Sequence, residues 1–118
     1  MLYSFVEFCE KVSNFLYNFG FPTRVNGYQY LKDALVKINE NPSLACKVLY
    51  IELAQKYKSD MEAVDRCFRT LVDKMWVRLC TEGLFSVRPS NREFIIKCVE
   101  YINKKHNPKS VYDVVFKY

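Results

Sequence analysis

Apolar residues recur three and four positions apart along most of the chain, the spacing of one face of an α-helix. Phe5, Phe8, Val12, Phe15, Leu16 and Phe19 share such a face, with Ser4 and Glu7 as a capping pair ahead of them. The pattern predicts a first helix from about Ser4 to Asn18, stopped by Gly20 and Pro22. A second is predicted from about Gly27 to Asn39, behind the pair Asn26–Gln29, with Tyr30, Leu31, Ala34, Leu35 and Ile38 inward. Asn41 before Pro42 marks a third start, because proline fits the first helical position. That stretch holds Leu44, Ala45, Val48 and Leu49, and either runs on or breaks and restarts into Tyr50–Tyr57. The longest helix is predicted from about Asp60 to Cys80, behind the pair Ser59–Glu62. Leu84 to Arg88 reads as an extended loop after Gly83. Ser90 and Glu93 open a helix from about Asn91 to Lys105, with Phe94, Ile95, Cys98, Val99 and Ile102 inward. A short terminal helix is expected from Ser110, with Val111, Val114, Val115 and Tyr118 on one face. Together these give an all-α, compact bundle of about six or seven helices.

Composition narrows this picture. The chain of 118 residues is half apolar and has 3 Gly and 4 Pro, a poor supply for turn-rich β structure. That length suits one domain, 1–118, burying roughly 65% of its unfolded surface. The longest uncharged stretch, Val12 to Thr23, includes Asn14, Asn18 and Gly20 and falls short of the about 20 apolar residues of a membrane span. Glu7, Glu10 and Lys11 interrupt the first apolar run, unlike a signal peptide, so a cytoplasmic protein is expected. Cys9, Cys46, Cys67, Cys80 and Cys98 are odd in number and form no C-x-x-C, which favours buried thiols over disulfides or a metal site.

Charge is uneven. The net charge is +5, yet residues 1–46 carry four basic and four acidic groups, while residues 83–118 carry seven and three. A positive second half hints at an anionic partner. No catalytic pattern accompanies it. The one histidine, His106, sits in the basic run Lys104-Lys105-His106-Asn107, and no Gly-rich phosphate loop occurs. No enzyme activity, cofactor, metal or small-molecule substrate is expected.

Residues 50–69 are the most informative. Ala54 is small enough for two helices to cross there, with Leu53 and Tyr57 on the first and Val64 and Phe68 on the second facing the crossing. The turn falls at Lys58-Ser59-Asp60, and many such turns place Gly where Lys58 stands because the backbone is left-handed there. This predicts a helix-turn-helix at about 50–79. At 100° per residue, Val64, Phe68, Leu71, Val72, Met75 and Leu79 face one way and Glu62, Ala63, Arg66, Arg69, Thr70 and Asp73 the other. Arginines on such an outer face have the donors to read guanine in a major groove. They equally suit an ordinary solvated helix face, and periodicity does not separate the two.

The run Gly20-Phe21-Pro22-Thr23-Arg24-Val25-Asn26-Gly27-Tyr28-Gln29-Tyr30-Leu31 resembles the C-terminal DNA-binding effector domain of the response regulator that initiates sporulation in endospore-forming bacteria. The likeness continues through Lys47 to Tyr57, Val64 to Arg69, Trp76 and Pro89 to Phe94, covering about residues 12–106 and leaving 107–118 without a counterpart. The resemblance implies a helical domain reading a short operator through a helix-turn-helix, often as a head-to-tail dimer. It places the two recognition arginines on Arg66 and Arg69, an acidic residue on Asp65, and a phosphate contact near Arg88.

The candidate base readers are therefore Glu62, Ala63, Asp65, Arg66, Arg69 and Thr70, and the candidate phosphate contacts are Lys47, Lys56, Lys58, Ser59 and Arg88. The expected partner is double-stranded DNA. Two departures stand out. Glu62-Ala63 replaces the Ser-Arg pair common in the family, and the effector is expected to act without a receiver domain and its phosphorylatable Asp. The alternative is an interaction module that has lost specific DNA binding, with a protein partner met through Tyr3, Tyr17, Tyr28, Tyr112 or Phe116.

Overall fold

A computed structural model describes residues 5–105, and these are all-helical, without strands. Five helices follow in order: α1 (Phe5–Asn18), α2 (Asn26–Glu40), α3 (Cys46–Lys56), α4 (Met61–Cys80) and α5 (Asn91–Lys105). The count among the described residues is five, not six or seven. The helix expected from Ser110 lies outside them. The helix expected from Pro42 does not form. Asn41 instead makes a turn, its Oδ1 accepting from Ser43 N at 3.2 Å and its carbonyl from Leu44 N at 3.0 Å. α3 then begins four residues late and continues unbroken to Lys56.

α4 is the axis of the packing. It lies against α2, α3 and α5, and its buried residues are Val64, Phe68, Leu71, Val72, Met75 and Leu79, the stripe that helical spacing predicts. Phe68 stacks on Tyr50 of α3 at 5.6 Å and meets Tyr30 of α2 at 6.3 Å. Gly27 lets the first turn of α2 approach: a Cβ there would stand 3.1 Å from the Cys67 carbonyl oxygen. On the far side of α2, α1 buries Phe8, Val12, Phe15 and Leu16. Phe5, expected inward, is 60% exposed, at the edge of a hollow lined also by Val12, Val36 and Lys56. Val48 is also exposed, since α3 buries Leu49, Tyr50, Leu53 and Ala54 instead. Among the thiols only Cys98 is fully buried, and the other four are half-buried and free.

The helix ends share one device. α1, α3 and α4 each close with a left-handed residue, at Gly20 (φ 69°), Lys58 (φ 54°) and Gly83 (φ 79°). In each case the next amide reaches back five residues: Phe21 N to Leu16 O at 3.0 Å, Ser59 N to Ala54 O at 2.8 Å, Leu84 N to Leu79 O at 3.3 Å. This is the Schellman closure, and it satisfies carbonyls that the helix would leave unpaired. It also corrects the expected cap of α4. The Ser59 amide is taken by α3, so Glu62 has no partner there, and Asp60 becomes the cap, its Oδ1 accepting from Ala63 N at 2.8 Å. The pair Asn26–Gln29 likewise does not form; Val25 precedes α2 with no side-chain cap. Ser90–Glu93 does form, with Ser90 N donating to Glu93 Oε1 at 3.0 Å and Glu93 N to Ser90 Oγ at 3.1 Å. Those bonds hold the Glu93 carboxyl below the usual range.

Replacing the true cap should cost more than replacing its neighbour. Asp60→Ala is expected to lower stability by about 1 kcal/mol, and Ser59→Ala by less than about half of that, in urea melts of the purified domain.

Candidate nucleic-acid interface

The outer face of α4 presents Glu62, Arg66, Arg69, Thr70, Asp73 and Lys74, all exposed, with Ala63 and Asp65 half-buried at its edges. Two shallow hollows flank Arg66. One is lined by Tyr50, Met61, Glu62, Asp65, Arg66 and Arg69. The other lies toward the start of α2 and brings Arg66, Thr70 and Lys74 beside Val25, Asn26 and Gly27.

The two arginines are held differently. Arg69 is ion-paired through Nη2 with Asp65 Oδ2, one turn earlier, which raises the guanidinium further above its ordinary value. Arg66 makes no hydrogen bond or ion pair among the described residues. Arg88 leans onto the same face from the loop before α5. Its Nε donates to Asp73 Oδ1 at 2.5 Å, its Nη2 to the Arg69 carbonyl at 3.4 Å and its Nη1 to the Pro89 carbonyl at 3.3 Å.

Behind Asp65 stands Asn91, in the first turn of α5. Its Nδ2 shares two protons among three acceptors, Asp65 Oδ1 at 3.1 Å, the Asp65 carbonyl at 3.3 Å and the Tyr50 hydroxyl at 3.1 Å. Tyr50 is buried, and burial above all pushes its hydroxyl up to about 12; the Cys46 thiol and the Asp65 carboxylate nearby add to this while Asn91 opposes it. Three helices thus meet in one polar knot at the root of the arginine face.

The candidate phosphate contacts fall into separate groups. Lys47 is exposed in the first turn of α3, one turn before Tyr50. Lys58 and Ser59 are exposed in the turn between α3 and α4. Lys56 stands apart. Its Nζ binds Asp33 Oδ2 at 2.8 Å, as does the Tyr57 hydroxyl at 2.6 Å, and the bond to Asp33 raises the Lys56 ammonium. It lines a hollow against α1 with Phe5, Val12 and Val36, distinct from both hollows at Arg66.

Sequence reasoning passed over Lys74 and Asn91. Lys74 was legible, since helical spacing sets it roughly 80° from Arg66 on the same face. Asn91 was not, because its partners are 26 and 41 residues away in the chain.

The described residues form a helical core whose longest helix, α4, carries Arg66 and Arg69 on its outer face. Residues 12–102 match the family model described as the C terminal of the sporulation initiation factor Spo0A, and the chain belongs to that family. The family is one of DNA-binding transcription regulators and response-regulator effectors, not of enzymes. Among the described residues no helix is long and apolar enough to cross a membrane.

The knot at Tyr50 has a pH signature. A hydroxyl raised from 10.0 to about 12 keeps its proton in the folded state after the unfolded chain has lost it. Its contribution is therefore complete below pH 10 and is lost as pH rises toward 12. Urea melts should show stability falling across that window, with Tyr50→Phe removing roughly 1 kcal/mol of the fall once solvent at the hydroxyl edge is allowed for.

Proposed function

We propose that α3 and α4 form a helix-turn-helix and that the N-terminal outer face of α4 enters the major groove of double-stranded DNA. The observation that carries this reading is Arg66: an exposed arginine on the outer face of a helix fixed on its other sides, with no partner among the described residues. Such a side chain is free to give two donors to guanine O6 and N7. Arg69 and Thr70 stand beside it as further base readers. Asp65 orients Arg69, and Glu62 can accept from a cytosine amine. Ala63 carries no polar group to read with. Lys47, Lys58, Ser59 and Arg88 lie on the elements that flank α4 and suit phosphates, which fix register without reading sequence. Lys56, bound to Asp33, contributes to the general field. The domain, 1–118, acts in the cytoplasm on the chromosome, and two copies sit head to tail on adjacent elements.

The second reading is an interaction module without specific DNA binding. Glu62 and Ala63 favour it, because a carboxylate and an apolar side chain occupy the first turn of the reading helix. Two of the three arginines on the face are also paired within the chain. Tyr17, 84% exposed, would be a natural contact for a protein partner.

Gel-shift titration over a salt series separates the two. A DNA reader loses affinity with a log–log slope of about −0.9 per phosphate contacted. On the preferred site Arg66→Ala and Arg69→Ala should each lower binding by about 1–3 kcal/mol and relax preference at one or two base pairs. Lys58→Ala should weaken all sequences equally and flatten the slope by about one. Binding that is salt-insensitive, or discrimination that survives loss of both arginines, favours the interaction module.

A further inference from the structure

Arg66 and Arg69 are neighbours on one helix face, yet only one is braced. Arg69 rests on Asp65, and Asp65 is held from behind by two bonds from Asn91 Nδ2, one to its carboxylate and one to its backbone carbonyl. Asn91 is itself anchored to the Tyr50 hydroxyl, and the Tyr50 ring lies flat on Phe68 in the core. The line from core to surface is therefore Phe68, Tyr50, Asn91, Asp65, Arg69, and it crosses α4, α3 and α5.

We propose that Asn91 is a positioning residue for DNA reading: through Asp65 it fixes the Arg69 guanidinium, so that Arg69 reads its base pair from a preset pose while Arg66 orders only on contact. The proposal rests on the reading of α4 as the DNA-contacting helix and goes beyond it by separating the two arginines. The physical reason is preorganisation. A long side chain loses rotamer freedom when it is immobilised, and a partner that has already restricted it reduces that loss on binding. Arg69 spends one of its five donors on Asp65 and keeps four for the groove. Asp65 could not do this alone. Its side chain is about one-third exposed, and an exposed carboxylate with only an i,i+4 partner is a loose tether. Asn91 occupies its second oxygen and removes that freedom.

The test is selection from a randomised 20-base-pair double-stranded DNA pool, sequenced after rounds of binding to wild type, Arg66→Ala, Arg69→Ala, Asn91→Ala and Tyr50→Phe. The two arginine variants assign a base pair to each arginine. Asn91→Ala should then lower discrimination about five- to tenfold at the Arg69 base pair and leave the Arg66 base pair and the salt slope unchanged. Tyr50→Phe, which removes only the anchor hydroxyl, should give a smaller loss at the same base pair. A merely structural role for Asn91 would degrade both base pairs together, and that result overturns the proposal, as does a variant that keeps full discrimination at the Arg69 position. Should Asn91→Ala not fold, Tyr50→Phe decides by the same comparison. A wild type that selects no sequence overturns the DNA reading itself. Selection by wild type that Arg69→Ala does not alter leaves that reading standing and overturns the role of Asn91 alone.

Discussion

The burial of one stripe on α4 governs the rest of the structure. Val64, Phe68, Leu71, Val72, Met75 and Leu79 are all driven inward, and three helices close over them. Burying side chains of this size is worth about 1.5–3 kcal/mol each, far more than any surface pair in the molecule. Once the stripe is covered, the rotation of α4 about its own axis is settled. The residues left outward are then fixed by sequence register alone, and over the first four turns these are Glu62, Arg66, Arg69, Thr70, Asp73 and Lys74. The presented face is a consequence of the core. Gly27 sharpens the constraint, because a Cβ there would stand 3.1 Å from the Cys67 carbonyl oxygen and push α2 and α4 slightly apart.

Electrostatics act on that face as geometry more than as energy. The pairs Asp65–Arg69 and Asp73–Arg88 are exposed and contribute little to stability. What they do is aim side chains. Arg88 joins the loop before α5 to α4 through Asp73 and the Arg69 carbonyl, and Asn91 follows three residues later at the polar knot. The start of α5 therefore braces the reading face as well as closing the core. Beside the start of α2, Arg66 and Lys74 share a hollow and make no hydrogen bond or ion pair among the described residues.

How far all this is legible in the sequence depends on range. The helix faces are legible because burial imposes a period of 3.6, and the inward residues of α2, α4 and α5 follow it closely. The capping box at Ser90 is legible because both its partners lie within one turn. The cap of α4 is not, since Ser59 and Asp60 are both good caps and the choice is made by the end of α3. Its left-handed Lys58 sends the Ser59 amide back to Ala54. The start of α3 is missed for a related reason: Asn41 closes a turn on its own side chain, and Pro42 is spent there. The exposure of Phe5 is set by how closely α2 and α3 pack on that end of α1, which periodicity does not contain. Arg66 and Arg69 could be named from spacing and family likeness, whereas their different bracing depends on Asn91 and needs the tertiary structure.

The central claim is that the outer face of α4 is where DNA binds. It is tested most directly by mapping amide and arginine side-chain NMR shifts of the labelled domain during titration with a duplex selected by the protein itself. The account predicts the largest changes over residues 61–74, with Arg66 Nε foremost, and smaller ones at Lys47, Lys58 and Arg88. Shifts concentrated instead on α1 and the Phe5–Val36–Lys56 hollow, with residues 61–74 unmoved, would contradict it.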